Sequence, residues 1–211
     1  MIKIDLHTHS VASPDGSLTA VHYQRALGRL DVIAVTDHNR IDFAQKLQTE
    51  LGERIIVGEE ITTLEGEIVG LYLQTSIPAG LSAVETVRQI HAQGALVYIP
   101  HPFETVRKGL SRRVLDTIAK QVDIVEVHNG RAIFQNRSQE AAKWAEQHHI
   151  ARAASSDTHG WHGWGKTYSQ VAKIPTPETL PLLLAKASFA TGKVGIRGIL
   201  YPKFNRLRGK R

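Results

Sequence analysis

Residues 2–10 read IKIDLHTHS, a short β-branched run that ends in two histidines. Successive side chains of a β-strand point to opposite faces, so His7 and His9, two residues apart, lie on one face and can converge on one ion. The stretch therefore predicts a strand whose C-terminal end carries candidate metal ligands.

Further β-branched runs alternate with amphipathic stretches along the chain, which is typical of βα units around a parallel sheet. The predicted strands are residues 2–6, 31–36, 54–60, 67–73, 95–100, 123–128 and 150–155, and the predicted helices cover about residues 19–30, 42–51, 83–92, 112–120, 135–149 and 177–187. We expect Thr176 to cap the last helix, which Pro177 opens. The runs on either side of residues 63–66 favour a hairpin over a crossover. About seven strands predict a barrel-like α/β fold.

The composition limits the class of protein. A chain of 211 residues that is 42% hydrophobic can bury one substantial core. It has no cysteine, which excludes disulfides and thiolate metal sites. The first ten residues are too polar for a signal peptide, and no apolar run approaches the roughly 18–20 residues of a membrane span. We therefore expect a soluble, cytoplasmic protein without a membrane span.

The net charge of +6 is concentrated at the C-terminus. Residues 193–211 contain seven basic residues and no acidic one, which leaves the rest of the chain at −1. We expect residues 1–192 to form a single domain and residues 193–211 to form a basic tail. Three interpretations of that tail stay open: a solvated terminus, a segment partly packed on the domain, or a contact for a polyanion or an anionic lipid surface.

Six of the eleven histidines fall at or just beyond the C-terminal ends of predicted strands, the rim at which α/β folds build their sites. Histidines, carboxylates or both occur in the segments DLHTH at 5–9, TDH at 36–38, GEE at 58–60, PHP at 100–102, EVHN at 126–129 and SSDTH at 155–159. Imidazole and carboxylate ligands without sulfur suit zinc, manganese or iron in hydrolytic sites. Such ions lower the pKa of water, and a carboxylate that bridges two of them positions the resulting hydroxide.

These segments resemble the PHP (polymerase and histidinol phosphatase) family. The motifs DLHTHS at 5–10, TDH at 36–38, GEEI at 58–61, PHP at 100–102 and SDTH at 156–159 appear in the family's order and span about three quarters of the chain. The resemblance implies a distorted, TIM-barrel-like (β/α)7 barrel with two or three divalent ions, manganese, zinc or iron, on its C-terminal rim. Most members of the family are phosphoesterases.

The resemblance also implies a set of ligands. One ion would take His7, His9, Glu60 and Asp157, a second would share Glu60 and add His101, and a third would take Asp15, His38 and His159. Asp15, in SPDG at 13–16, could instead be an ordinary turn aspartate. Two positions depart from the family. Glu67 stands where many relatives have a histidine ligand, and His128 stands where relatives often have an aromatic residue. We therefore add Glu67 and His128 as candidate ligands.

A phosphate substrate needs fixed cationic donors beside the metal ions. Arg131, directly after the sixth strand, is the first candidate, and Arg40 and Lys166 are the others. Residues 159–166, with two tryptophans and three glycines, could form a lid over the site or pack on the barrel. Asp5 and Asp37 neighbour the ligands and are expected to accept hydrogen bonds in their support or to be structural.

The predicted function is a metal-dependent phosphoesterase that hydrolyses a small phosphorylated molecule or nucleotide through a metal-bridging hydroxide. The predicted catalytic residues are Glu60, His38 and Asp157, and the proton for the leaving oxygen could come from His38, His128 or a metal-bound water. Three alternatives stay open: an amide or lactone hydrolase on the same centre, a noncatalytic metal-stabilised module, and a nuclease that uses the basic tail on nucleic acid. The sequence predicts no oligomeric state.

Overall fold

The computed structural model describes residues 1–133 and 135–208. Nine strands form one sheet in the order β7-β6-β5-β4-β3-β2-β1-β8-β9, curved into a nearly closed barrel. The strands are β1 Ile2–Asp5, β2 Val32–Val35, β3 Ile55–Thr62, β4 Glu67–Leu71, β5 Leu96–Ile99, β6 Ile124–Asn129, β7 Ala151–Ser155, β8 Thr167–Val171 and β9 Ser188–Thr191. The predicted distorted barrel of the PHP type is confirmed.

The distortion arises where the chain makes hairpins instead of crossovers. The pairs β1–β2, β2–β3, β5–β6 and β6–β7 are parallel, as βα units require. Strand β4 is antiparallel to both β3 and β5, which confirms the predicted hairpin, and β8 is antiparallel to β1 and β9. The parallel strands therefore end at the same rim, and the predicted ligands lie at their ends.

The helices cover the sheet: the first five pack on its outer face, the sixth packs Leu180 and Leu184 against the apolar cluster inside the barrel, and the seventh lies on the rim. They are α1 Ala20–Ala26, α2 Asp42–Leu51, α3 Ala83–His91, α4 Arg112–Ile118, α5 Ser138–Gln147, α6 Leu180–Leu184 and α7 Gly195–Arg208, with short 3-10 turns at Gly52–Arg54 and Ala119–Gln121. Both faces of the strands are buried: Ile33 and Val35 of β2 pack in the apolar layer beneath the helices, and Val32 and Ala34 pack inside the barrel. Among the residues described, no helix combines the length and the apolar character that a membrane span needs.

Four elements differ from the sequence-based expectation. Strand β8 was not predicted because its inward side chains, Thr167 and Ser169, are polar; the Ser169 hydroxyl bonds the backbone of Ala154. Strand β9 was not predicted either. Helix α6 begins at Leu180 with Thr179 in the capping position, so the expected start at Thr176 and Pro177 is wrong. Most of the segment expected as a tail forms helix α7; residues 209–211 of that segment lie outside the described residues.

Backbone hydrogen bonds beyond β1 and β7 join the first and last motif segments. The amide of Asp157 donates to the His7 carbonyl at 2.9 Å, and the amide of His9 donates to the Thr158 carbonyl at 2.9 Å. Histidines from the start of the chain therefore lie beside carboxylate and histidine side chains about 150 residues further along. The barrel places these two motifs next to each other on its rim.

Candidate metal centre

Eight buried or half-buried side chains from five rim segments converge into three overlapping groups. In each group, one ligand atom per residue lies within 4.8 Å of the others; the groups are His7, His9 and Asp157; His7, Glu60 and His101; and His9, Asp15, His38 and His159. Their composition is close to the ligand sets implied by the family resemblance. The structure thus brings together eight of the ten residues predicted as ligands, all except Glu67 and His128.

The first group is built around two imidazole nitrogens that face each other. The Nε2 atoms of His7 and His9 are 3.1 Å apart, and Asp157 Oδ1 lies 3.7 and 3.6 Å from them. Zinc–nitrogen and zinc–oxygen bonds of about 2.0–2.2 Å place tetrahedral ligand atoms roughly 3.3–3.6 Å from one another. The separations in this group are close to that range, so the donor set fits a divalent ion.

Glu60 stands between the groups. Its Oε1 lies 3.1 Å from His101 Nε2 and 3.5 Å from His7 Nε2. Its Oε2 lies 3.3 Å from His9 Nε2 and 3.2 Å from His38 Nδ1. One carboxylate therefore faces donors from all three groups, as a ligand shared by two ions must.

The third group contains a buried oxygen without a hydrogen bond. Asp15 Oδ1 lies 3.6 Å from His38 Nε2 and 3.5 Å from His159 Nε2. Within residues 1–133 and 135–208 this oxygen has no hydrogen-bond partner, although Asp15 is almost fully buried. A buried carboxylate oxygen normally has a partner, so a cation between Asp15 and the two imidazoles fits this position. The turn reading of Asp15 does not account for its burial beside two histidines.

Electrostatics keep the central carboxylates ionised. Burial opposes ionisation of Glu60, yet His38 and His7 hold its pKa well below the usual range. Burial also opposes ionisation of Asp157, but the charges of Arg131 and His7 lower the pKa of that carboxyl too. Both side chains are thus negatively charged near neutral pH.

Glu67 lies beside the second group without joining it. Its Oε2 is 3.9 Å from His101 Nε2, and its Oε1 is 4.0 Å from Lys108 Nζ. Burial, followed by the charge of Glu60, raises the pKa of Glu67 to about 8. Glu67 occupies the position from which it could complete the coordination of an ion at His101, and its assignment as a ligand stays a prediction.

His128 lies outside the cluster because β6 contains an irregularity. The pairing register between β6 and β7 shifts between Glu126 and His128, which reverses the expected alternation of side chains. Asn129 consequently faces the centre and donates to Asp157 Oδ2 at 3.3 Å, whereas the His128 ring packs 5.8 Å from the Phe189 ring. The expectation that His128 is a ligand is therefore corrected.

Glu126, which was not predicted as a functional residue, holds several residues of the centre through hydrogen bonds. It is fully buried and accepts hydrogen bonds from His7 Nδ1 at 3.3 Å, Tyr98 Oη at 2.8 Å, the His101 amide at 2.7 Å and Asn129 Nδ2 at 2.8 Å. A proton on His7 Nδ1 leaves Nε2 free to bind a metal ion. The signal in the sequence was an acidic residue between two valines of a predicted strand.

Two candidate ligands have unusual backbone geometry. His101 has a backbone φ of 28° and Asp157 a φ of 50°, values that residues with a Cβ rarely adopt. Gly109 makes room for the first of these, because a Cβ there would lie 2.2 Å from the His101 carbonyl oxygen. Strained backbone of this kind concentrates at functional sites, where the surrounding structure holds it in place.

Asp5 and Asp37 lie behind the ligands, as expected for supporting acceptors. Asp37 accepts from the Ser10 amide at 2.6 Å and from the Ser13 hydroxyl at 2.8 Å, which fixes the loop that carries Asp15. Asp5 accepts from the Ser156 amide at 2.9 Å, and burial raises the pKa of Asp5 to about 6. Both aspartates hold backbone of the ligand-bearing segments.

A pocket of about 270 Å³ opens onto the cluster, and four basic side chains line it: Arg107, Lys108, Arg131 and Arg206. Arg131 donates to Asp157 Oδ1 at 3.3 Å, and its Nη1 lies 3.2 Å from His159 Nδ1. Arg107, which was not predicted, donates to Asp157 Oδ2 at 2.6 Å and to Asn129 Oδ1 at 2.6 Å. Its signal was its place in the loop after the PHP motif. The pocket thus combines a metal-binding floor with cationic walls.

The other two predicted substrate cations lie elsewhere. Arg40 is held in a paired hydrogen bond by Asp42, at 2.7 and 2.6 Å, and does not line the pocket. Lys166 is exposed beside Gly192, also outside the pocket. Trp164 is buried in the core and donates to Asp5 Oδ2 at 3.0 Å, so the packing interpretation of residues 159–166 holds for this tryptophan. These corrections leave Arg131 as the predicted cation that reaches the pocket.

Two curated proteins of Methanocaldococcus jannaschii are similar to the chain in sequence. The uncharacterized protein MJ1587 is 33% identical over 150 residues, which cover 64% of this chain and 88% of that protein. The uncharacterized protein MJ0417 is 35% identical over 182 residues, which cover 82% of this chain and 72% of that protein. No model of a protein family matches the chain.

Solved structures share the fold at low sequence identity. One is a two-domain protein of Bacteroides vulgatus that contains a predicted PHP-like metal-dependent phosphoesterase; it has a TM-score of 0.66 and 20% identity, and it covers 97% of this chain. The chain spans 63% of the length of that protein. An amidohydrolase of Chromobacterium violaceum, with bound sulfate and no metal, has a TM-score of 0.61 and 18% identity, and covers 92% of this chain and 99% of that one. The resemblance to the PHP family is thereby confirmed in the fold.

Proposed function

This chain belongs to one family with the two M. jannaschii proteins and has the PHP-like fold, and from its site we propose that it is a metal-dependent phosphoesterase. Its substrate is a small phosphorylated molecule or nucleotide, and its cofactors are two or three divalent ions. The observation that carries the proposal is the union of a shared carboxylate, Glu60, with a cationic pocket directly above it. The shared carboxylate matches the need to position a hydroxide between metal ions, and the cationic pocket matches the need to bind a phosphate.

The residues that would hold the ions are those of the three groups, and Glu60, a member of the second group, would be shared because its Oε2 also faces His9 and His38. Divalent ions bound there would lower the pKa of water toward neutrality and polarise the phosphoryl group. Glu126 keeps His7 in the orientation that this binding requires, and Asn129 and Arg107 hold the far oxygen of Asp157. The chain thus fixes its ligands before a substrate arrives.

The pocket cations would bind and orient the substrate. Arg131 contacts Asp157 and His159 while part of its guanidinium faces the pocket, and its Nε has no hydrogen-bond partner in the described part of the chain. Arginine offers several fixed donors that match phosphate oxygens, so Arg131 and Arg107 suit the transferred phosphate. Of the two histidines that the sequence offers as proton donors, His38 lines the pocket and His128 does not, so His38 is the proposed donor when the third group holds no ion.

The donor groups of the pocket favour phosphate over an amide or lactone. A phosphate dianion can accept hydrogen bonds from the guanidinium N–H groups that Arg107, Arg131 and Arg206 do not use for Asp157 and Asp15, whereas a neutral carbonyl offers fewer acceptors and no charge. The fold shared with the amidohydrolase of C. violaceum makes amide hydrolysis the second reaction to test. A pocket of about 270 Å³ holds a phosphate with a small attached group.

The experiment is a substrate screen with protein purified without chelator and reconstituted with Mn²⁺. Phosphate monoesters, phosphate diesters, nucleotides, amides and lactones are assayed in parallel, with Asp157→Asn protein as the inactive reference. We expect metal-dependent turnover of at least one phosphate ester and none by the reference. Turnover confined to amides or lactones, or no turnover of any substrate by metal-loaded protein, would overturn the proposal.

A further inference from the structure

Helix α7 lies against the two loops that carry the third group of candidate ligands. Asn205 Nδ2 donates to the Asp15 carbonyl at 2.7 Å and to the His159 carbonyl at 3.3 Å. The Tyr201 ring lies so close to Gly160 that a Cβ there would approach it to 2.5 Å. Pro202 is buried and lines the pocket. The helix is therefore packed on the rim of the barrel, where the substrate must enter.

Arg206 is a basic residue of α7 that reaches the pocket. Its Nη2 donates to Asp15 Oδ2 at 2.6 Å, while Asp15 Oδ1 faces His38 and His159. The two oxygens of Asp15 thus have separate partners, a guanidinium on one side and two imidazoles on the other. Arg206 lines the pocket together with Arg107, Lys108 and Arg131, which come from segments after β5 and β6.

The contact between Arg206 and Asp15 leaves much of the guanidinium accessible. The Arg206 side chain is 63% exposed, whereas the Asp15 side chain with which it pairs is 2% exposed. A guanidinium has five N–H donors in a planar fork, so its bond to one carboxylate oxygen leaves donors for a substrate anion. The ion pair holds the charge at the mouth of the pocket before substrate binds.

We propose that α7 forms one wall of the substrate pocket and that Arg206 binds the phosphate of the substrate. The inference rests on the proposed phosphoesterase function and adds a specificity-determining residue from the C-terminal segment. It changes the interpretation of that segment: its basic charge acts at the active site through Arg206. Arg197, on the same helix, is exposed and outside the pocket.

The test measures binding of inorganic phosphate to Mn²⁺-loaded, dialysed protein by calorimetric titration. Arg206→Ala should raise the Kd for phosphate about tenfold to a hundredfold, the usual effect of losing a charge-assisted hydrogen bond. Arg206→Lys should recover part of the affinity, because lysine keeps the positive charge but lacks the planar set of N–H donors of a guanidinium. Arg197→Ala is the matched control and should change the Kd by less than about twofold. The metal content of all three variants should equal that of the wild type.

Two results would overturn the inference. Phosphate affinity of Arg206→Ala equal to that of the control variant would show that Arg206 does not bind the anion. Loss of bound metal in step with loss of phosphate affinity would show that Arg206 only positions Asp15. A different result would contradict the proposed function alone. If wild-type protein binds phosphate through Arg206 but hydrolyses no phosphate ester, α7 forms a wall of the pocket and the protein is not a phosphoesterase.

Discussion

Replacing Glu126 by glutamine should weaken metal binding although Glu126 is not itself a candidate ligand. The carboxylate accepts four hydrogen bonds in the fully buried space between β5, β6 and the histidines. Burial opposes its ionisation, yet the hydrogen bond from His7 and the charge of His7 lower the pKa of Glu126, so it is an acceptor with both oxygens. Glutamine has one acceptor oxygen and a donor NH2 group.

The expected magnitude follows from the partners that glutamine cannot satisfy. Three of them, the His101 amide, Asn129 Nδ2 and a protonated His7 Nδ1, can only donate, and glutamine turns its NH2 toward one of the two oxygen positions. His7 or the strained backbone of His101 then loses its fixed orientation. Loss of a hydrogen-bond partner that orients a metal ligand typically weakens metal affinity about 10- to 100-fold, or roughly 1.4–2.7 kcal/mol.

The assay is competition for Mn²⁺ or Zn²⁺ between the protein and a metallochromic chelator, for wild type and Glu126→Gln. Glu59→Gln is the control because Glu59 is also a buried carboxylate, but it accepts from the Ser76 hydroxyl and the Ile77 amide, away from the cluster. Circular dichroism of each variant checks that the fold is retained. Equal metal affinities of Glu126→Gln and wild type, or an equal loss in Glu59→Gln, would refute the role given to Glu126.

The remaining predictions concern the centre and its surroundings. Glu60→Gln should reduce hydrolysis to background with the fold intact, because a neutral amide bridges two cations poorly; Glu59→Gln should keep turnover, and the reverse result would mean that the wrong member of the pair was assigned. His128→Ala should leave metal content unchanged and turnover within about twofold, as expected of a side chain outside the site. A loss of one ion from His128→Ala, measured by plasma mass spectrometry, would restore His128 as a ligand.

The positions at which strands end could be predicted from the sequence, because β-branched runs and the polar residues that follow them are local signals. His7, His9 and His101 follow such runs directly. Glu60 could be separated from Glu59 only by the family resemblance. The structure supplies the physical reason: Glu60 shares its face of β3 with Ile56 inside the barrel, and Glu59 faces the outer loops.

Features that depend on distant contacts could not be predicted. Because of the irregularity in β6, the side chain of Asn129 faces the centre in place of that of His128, and nothing in the local sequence indicates this irregularity. Arg40 was predicted as a substrate cation and Arg107 was not, because the sequence does not show that the first pairs with Asp42 and the second with Asp157. Helix α7 has glycines and a proline in a basic segment, so its sequence favours a tail. Its contacts on the rim override that local preference.

The central claim, a centre of at least two metal ions, is tested most directly by counting ions. Protein purified without chelator is reconstituted with Mn²⁺ or Zn²⁺, dialysed and analysed by plasma mass spectrometry. The three overlapping groups predict at least two ions per chain, and His7→Ala combined with Asp157→Ala should remove at least one of them. A wild-type protein that holds no more than one ion after reconstitution with either metal would contradict the multinuclear centre.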